Sequence, residues 1–487
     1  MKKRWNRIKT FFSKPYNVLL VLFLVVLTFL VVIPLVSIVR DTFIVHSAEK
    51  SRVHQAVGTF TTYHWKRLFA SEFSKSLLWD PIRNSIVTST WACVVSILIG
   101  GSFAWLVSRS DMRWKKLLTK LFIFPYIMPS WTLGLAWKNF FKNIEITGSN
   151  GIFYSLTGIQ VPTWFAYGEF PIIIVTGMHY APFAYILIGG ILHNMDANLE
   201  EAAIILKTSR LRMFLRITIP IVMPAVLSTI ILVFSGAMAS FATPQFLGLP
   251  VRYYVLTTEL YASINGTNPG VGYILAMIMI LISVIIMFVN QKLIGNRKSY
   301  ATVTGKSANI SIFHLGAWRT PISILAFCVV MMMSVIPLVT FALESLLNYT
   351  GVYDFNNLTL SFWIGQAQGH DTWQSESGIL RNAEVYRTLW NSLRLAFTCA
   401  LGAGTLGFLA GYSIVRRRGS FLSQVVENLT FIPYLIPSMA FSAIYLSMFA
   451  TKHGIIPSLY GSFAILALIG TIKYLPMASR SGVNSML

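Results

Sequence analysis

Residues 200–220 read EEAAIILKTSRLRMFLRITIP. Asn198 stands three residues before Glu201, the spacing of a capping box, in which the two side chains satisfy free amides at a helix start. Glu200 and Glu201 then lie at the positive end of the helix dipole, where carboxylates are favoured. Ala202, Ala203 and residues 204–206 extend a short helix with one apolar face. Lys207, Arg210, Arg212 and Arg216 follow, and Pro220 and Pro224 open the next long apolar run. A short, basic, amphipathic helix between two membrane spans is expected on the cytoplasmic surface, within reach of a soluble partner.

The rest of the chain supports that setting. It is 55% hydrophobic and only 11% charged, where soluble domains carry about 25% charged residues. The fold class is therefore all-α, a polytopic membrane protein. The excess of 39 Lys+Arg over 17 Asp+Glu does not point to nucleic acid, because the basic residues fall in short loops between apolar spans. That distribution is the positive-inside pattern of a cell (plasma or inner) membrane protein with a cytoplasmic N-terminus. The basic segment 1–16 leads into an apolar run too long for a signal-peptide core, so it reads as an uncleaved first helix. Cys93, Cys328 and Cys399 fall in apolar spans and read as buried apolar residues.

Spans of about 20 apolar residues are expected at 17–39, 85–107, 121–140, 171–192, 221–243 and 272–290. Arg109, Arg113, Lys115, Lys116 and Lys120 form one of the cytoplasmic loops between them. A polar cytoplasmic linker covers 291–320, and further spans are expected at 322–343, 392–415, 429–449 and 462–477. The two halves, 17–290 and 321–487, read as parallel repeats. Asn84-Ser85 matches Asn391-Ser392. Phe124-Pro125-Tyr126-Ile127-Met128-Pro129-Ser130 matches Ile432-Pro433-Tyr434-Leu435-Ile436-Pro437-Ser438. His179-Tyr180-Ala181-Pro182 matches Lys473-Tyr474-Leu475-Pro476.

Residues 198–220 resemble the EAA loop of binding-protein-dependent ABC importer permeases, through Glu201-Ala202-Ala203 and Ile217-Thr218-Ile219-Pro220. The family's Gly, four residues after the last Ala, is Lys207 here; a left-handed backbone at that position would disfavour lysine by about 1–2 kcal/mol. The resemblance implies a permease with no catalytic residues and no cofactor of its own. ATP and Mg would be bound by a partner ATPase dimer that docks on Glu200, Glu201, Ala202 and Ala203, flanked by Arg210 and Arg212. An external solute-binding protein would deliver the cargo. Tyr180 precedes Glu201 by 21 residues, so a second such loop is expected the same distance after Tyr474, beyond Leu487. The second repeat is thus expected to be cut short, its loop missing or supplied by another subunit.

The segment 241–261 further resembles the external loop after the fifth helix in single-chain, doubled ferric-iron permeases, whose relatives carry thiamine, polyamines or phosphonates. Pro125, Pro129, Pro182, Pro433, Pro437 and Pro476, with His179 and Lys473, are the candidates for a translocation path of bent helices at the repeat interface. Plain packing geometry is the alternative for the prolines, and snorkelling to an interface for the two ionisable residues. No metal-ligand spacing, nucleophile set or complete P-loop is found; Gly305-Lys306-Ser307 lacks the first Gly, with Tyr300 in its place. A secondary carrier or channel is the competing class, weakened because no Asp or Glu lies in the middle of a span. A lipid-substrate transferase would need an acidic catalytic motif, and none is found.

Overall fold

The computed structural model describes residues 5, 9–195, 203, 205–295, 312–366, 376–450 and 457–486. Among them there are no strands, only isolated bridges between loops. The longer helices are α1 (Pro15–Asp41), α2 (Tyr63–Ala70), α3 (Asp80–Arg109), α4 (Lys115–Ile127), α5 (Ser130–Phe141), α6 (Glu169–Asn194) and α7 (Ile219–Met238). They continue with α8 (Leu256–Asn265), α9 (Pro269–Gly295), α10 (Arg319–Glu344), α11 (Ala383–Arg416), α12 (Phe421–Leu435), α13 (Ser438–Phe449) and α14 (Phe463–Met486).

Among the described residues, eight helical stretches are long and apolar enough to cross a membrane, and α12 with α13 forms a further pair bent by 106°. Most expected spans fall on these helices with small extensions. The expected third span is different. It consists of α4 and α5, separated at Met128 and Pro129, both in extended backbone. Ile436 and Pro437 separate α12 from α13 in the same way. The cysteine expectation needs correction: Cys93 is buried, but Cys328 on α10 is exposed and Cys399 lies between. Apolar spans present one face to lipid, so an apolar neighbourhood in sequence does not fix which way a small side chain points.

Proline shapes the helices by a second route. Wide π-type turns occur at Thr28–Val32, Lys75–Trp79 and Phe214–Thr218, and each ends two residues before a proline: Pro34, Pro81 and Pro220. A helical proline lacks the amide that would bond to the carbonyl four residues back, and its ring clashes with that carbonyl. Those carbonyls belong to Leu30, Leu77 and Arg216, the central residue of each wide turn. Widening the turn moves them clear of the ring while the helix continues.

The chain forms two compact units that cut across the sequence halves: 1–78 with 259–285 and 368–487, and 79–258 with 286–367. In the first, α1 packs on α11, α12 and α13, and α11 packs on α14. In the second, α3 packs on α6 and α7, and α10 packs on α4 and α5. Each half's opening helix thus joins the unit built from the other half. The α3–α6 and α11–α14 contacts use small residues, which let helix backbones approach without lipid between them. A Cβ at Gly100 would collide with Ala181 and Ala184, and one at Gly407 with Ala478 and Ser479. Gly100 and Gly407 lie sixteen residues after Asn84 and Asn391, so the repeat pairing carries through to the packing.

Candidate functional site

The loop that follows α6 is held at its start by a buried arginine. Arg109, the last residue of α3, is 2% exposed. Its guanidinium donates to the carbonyls of Leu192 and Met195, both at 2.8 Å. The last carbonyls of a helix have no partner within it, so an arginine there satisfies them and complements the dipole. The sequence reading assigns Arg109 to a solvated basic loop; the fold instead buries it as the cap of α6. Beside it, Phe313 of the linker bridges to the same segment. The Phe313 amide donates to Arg109 O at 2.7 Å, and the Asp111 amide to Phe313 O at 3.2 Å. The Asp111 carboxylate accepts from the Leu315 amide at 3.0 Å. That bond, with His314 and Arg319 close by, holds its carboxyl below the usual carboxylate range.

Glu200, Glu201 and Ala202 lie outside the described residues. Ala203 is buried, and the Thr208 amide donates to its carbonyl at 3.0 Å. Lys207 lies between them with φ +56°. This is the bond of a Schellman helix end, with the left-handed residue just past the cap where glycine is usual. The position where the family has glycine therefore does adopt the left-handed backbone, and Lys207 bears the steric strain. Lys207→Gly is expected to stabilise this turn by about 1 kcal/mol, a roughly fivefold drop in local opening. Hydrogen exchange at residues 205–209 measures it; equal or faster exchange would show that lysine makes a compensating contact.

Ile205 and Leu206 are 80% and 79% exposed, and Lys207 and Arg212 also face out. Arg210 opens a short helix, Arg210–Met213, and Ile217 and Pro220 lie in the wide turn and at the start of α7. Two large apolar side chains beside exposed cations on one connection form a surface suited to a protein partner.

His179 and Lys473, matched by the repeat, do matching work. His179 Nδ1 donates to Pro125 O at 3.0 Å. Lys473 Nζ donates to Pro433 O at 3.0 Å and also to Ile436 O. The reason lies in the proline spacing. The carbonyls of Pro125 and Pro433 would accept from the residues four positions on, which are Pro129 and Pro437 and have no amide. Each helix break leaves an orphan carbonyl at membrane depth, and a donor from α6 or α14 satisfies it. Pro182 and Pro476 lie inside those donor helices, three residues after the donors. The fold thus joins Pro125, Pro129 and His179 in one cluster, and Pro433, Pro437 and Lys473 in another.

Asn84 and Ser85, near the start of α3, pin the segment after α7. Asn84 Nδ2 donates to Tyr254 O at 2.9 Å, and the Leu256 amide donates to Ser85 Oγ at 2.8 Å. That segment carries a short helix, Ala242–Leu247, then Leu249–Val251 and a left-handed Arg252.

Residues 96–299 match the family described as binding-protein-dependent transport system inner membrane component. The chain is 26% identical over 416 residues to the ferric transport system permease protein FbpB of Actinobacillus pleuropneumoniae, covering 83% of this chain and 56% of that protein. It is 26% identical over 418 residues to the putative ferric transport system permease protein FbpB 1 of Haemophilus influenzae, covering 83% and 61%. The molybdate/tungstate transport system permease protein WtpB of Pyrococcus abyssi matches 48% of this chain and 85% of its own length at 26% identity. The chain thus spans about three-fifths of the length of the two ferric relatives. Among solved structures, a bacterial ABC transporter involved in alginate import aligns with 61% of this chain and 100% of its own, at TM-score 0.42 and 14% identity.

Proposed function

We propose that the chain is a permease subunit of an ATP-driven importer, supported by the match of residues 96–299 to the inner-membrane component of binding-protein-dependent transport systems. The loop after α6 is its docking site for a cytoplasmic ATPase dimer. The observation that carries this is the exposed Ile205–Leu206 pair on a loop whose root is fixed by Arg109. A rigid root is what a coupling loop needs, because force applied to it must move α6 rather than fray it.

Ferric iron delivered by an external binding protein is the proposed cargo. Its support is the pair of ferric permeases that match along 83% of the chain, against 48% for the molybdate/tungstate relative. A cytoplasmic N-terminus is proposed, supported by the basic residues in the loops between spans. ATP and Mg belong to the ATPase partner, and the chain acts without chemistry of its own. The prolines of the bent α4–α5 pair, and separately those of the bent α12–α13 pair, are proposed as path residues.

Glu201→Lys is expected to abolish cargo-stimulated ATP hydrolysis and ferric uptake, while the protein still inserts. The substitution reverses the charge on the loop's proposed contact with the ATPase, and repulsion there is expected to prevent docking. Assay with the ATPase and binding protein in proteoliposomes checks it. Unchanged coupled hydrolysis would remove the docking assignment, and uptake without ATP would favour a secondary carrier.

A further inference from the structure

Between α1 and α3 the chain folds back on itself and gathers three ligand-type side chains. His46, Glu49 and His64 each offer an atom within 4.8 Å of the others. His64 and Glu49 are fully buried and His46 is half-buried, so the cluster has one side nearer to solvent. From these three residues we propose a site for a first-row divalent transition cation of the zinc type.

The surroundings are arranged as an outer ligand shell would be. His46 Nε2 donates to Asp41 O at 2.8 Å, and His64 Nε2 donates to Ile44 O at 3.0 Å. A carbonyl only accepts, so each ring carries a hydrogen on Nε2 and Nδ1 is the nitrogen left to bind a cation; at His46 that nitrogen would give up the Glu49 amide it accepts from in the turn. Metal-bound histidines usually have their other nitrogen tied in this way. His64 Nδ1 is buried with no hydrogen-bond partner, which is costly unless something binds there.

Glu49 is held in place by the amides of Gly270 at 3.1 Å and His46 at 3.4 Å, with His64 Nε2 at 3.4 Å. Glu49 is fully buried, and a divalent cation beside it would balance a carboxylate held out of water. The backbone also makes room for the ring. A Cβ at Gly270, at the start of α9, would lie 2.5 Å from His64 Nδ1.

The ligand set selects the cation. Calcium and magnesium prefer all-oxygen shells, whereas two imidazoles and one carboxylate suit zinc and its neighbours and leave a position for water. A bound cation would fasten residues 42–64 to the start of α9, within one compact unit.

The test uses the full chain in detergent, stripped with chelator and then dialysed against Zn²⁺. About one zinc per chain is expected to remain. X-ray absorption of the unmodified protein is expected to show two imidazoles with nitrogens at about 2.0 Å plus oxygen ligands. His46→Gln, at the half-buried position, is expected to weaken zinc binding by about 100-fold or more, beyond the 10–100-fold that outer-shell partners account for. His54→Gln and His314→Gln are expected to change nothing. No retained zinc, a spectrum without two imidazoles, zinc that survives His46→Gln, or zinc that is lost with His54 or His314 would each overturn the site. The spectrum needs no variant, so the test stands even if Glu49 or His64 substitutions fail to fold.

Discussion

Arg109→Met is expected to lower ATP-driven uptake more than tenfold and to accelerate amide exchange in the last turn of α6 about 100-fold, with the chain still inserted. Arg109 donates to both Leu192 O and Met195 O. A hydrogen bond from a charged donor contributes about 1.5–3 kcal/mol. Losing both is therefore worth about 3 kcal/mol at the low end, a factor of roughly 100 in local opening. Methionine fills much of the space but satisfies neither carbonyl. Arg109→Lys should fall between the two, because an ammonium is a single compact donor rather than a fork. Unchanged exchange in this turn would show that other groups cap it. Faster exchange with normal uptake would show that the loop root need not be rigid, which would count against the proposed coupling route.

Much of this architecture is legible in the sequence because membrane depth imposes strict rules. Apolar length marks the helices, and basic loops mark the ends between them. The breaks are legible too, since Pro125/Pro129 and Pro433/Pro437 forecast carbonyls without partners. The strain at Lys207 follows from the family's glycine, and the left-handed φ there agrees. Other features need the folded chain. Arg109 has the same residue type and neighbourhood as the solvated loop cations, so no local signal separates a buried cap from a surface charge. The exchange of α1 and α10 between units depends on contacts hundreds of residues apart. His46 and Glu49 are separated from His64 by a loop, and no short motif joins them.

Lys473→Met is expected to reduce uptake at least tenfold and to loosen the α12–α13 break, whereas Lys473→His should retain most activity. The orphan carbonyl at Pro433 requires a donor, and His179 performs that task at the equivalent Pro125. An unsatisfied carbonyl in the bilayer core is disfavoured by several kcal/mol, enough to shift the bend or draw in water. If only the donor matters, imidazole and ammonium are interchangeable in kind, and His179→Lys is tolerated as well. If Lys473 instead serves the cargo through its charge, Lys473→His loses uptake at pH 8, where an ordinary imidazole is neutral. Uptake at pH 8 therefore separates the two roles. Exchange rates at residues 433–441 then report whether the break itself has changed. Loss of uptake with an unaltered break would assign Lys473 to the transport path. Loss with a loosened break in Lys473→Met, rescued by histidine, would assign it to the bend that shapes the path.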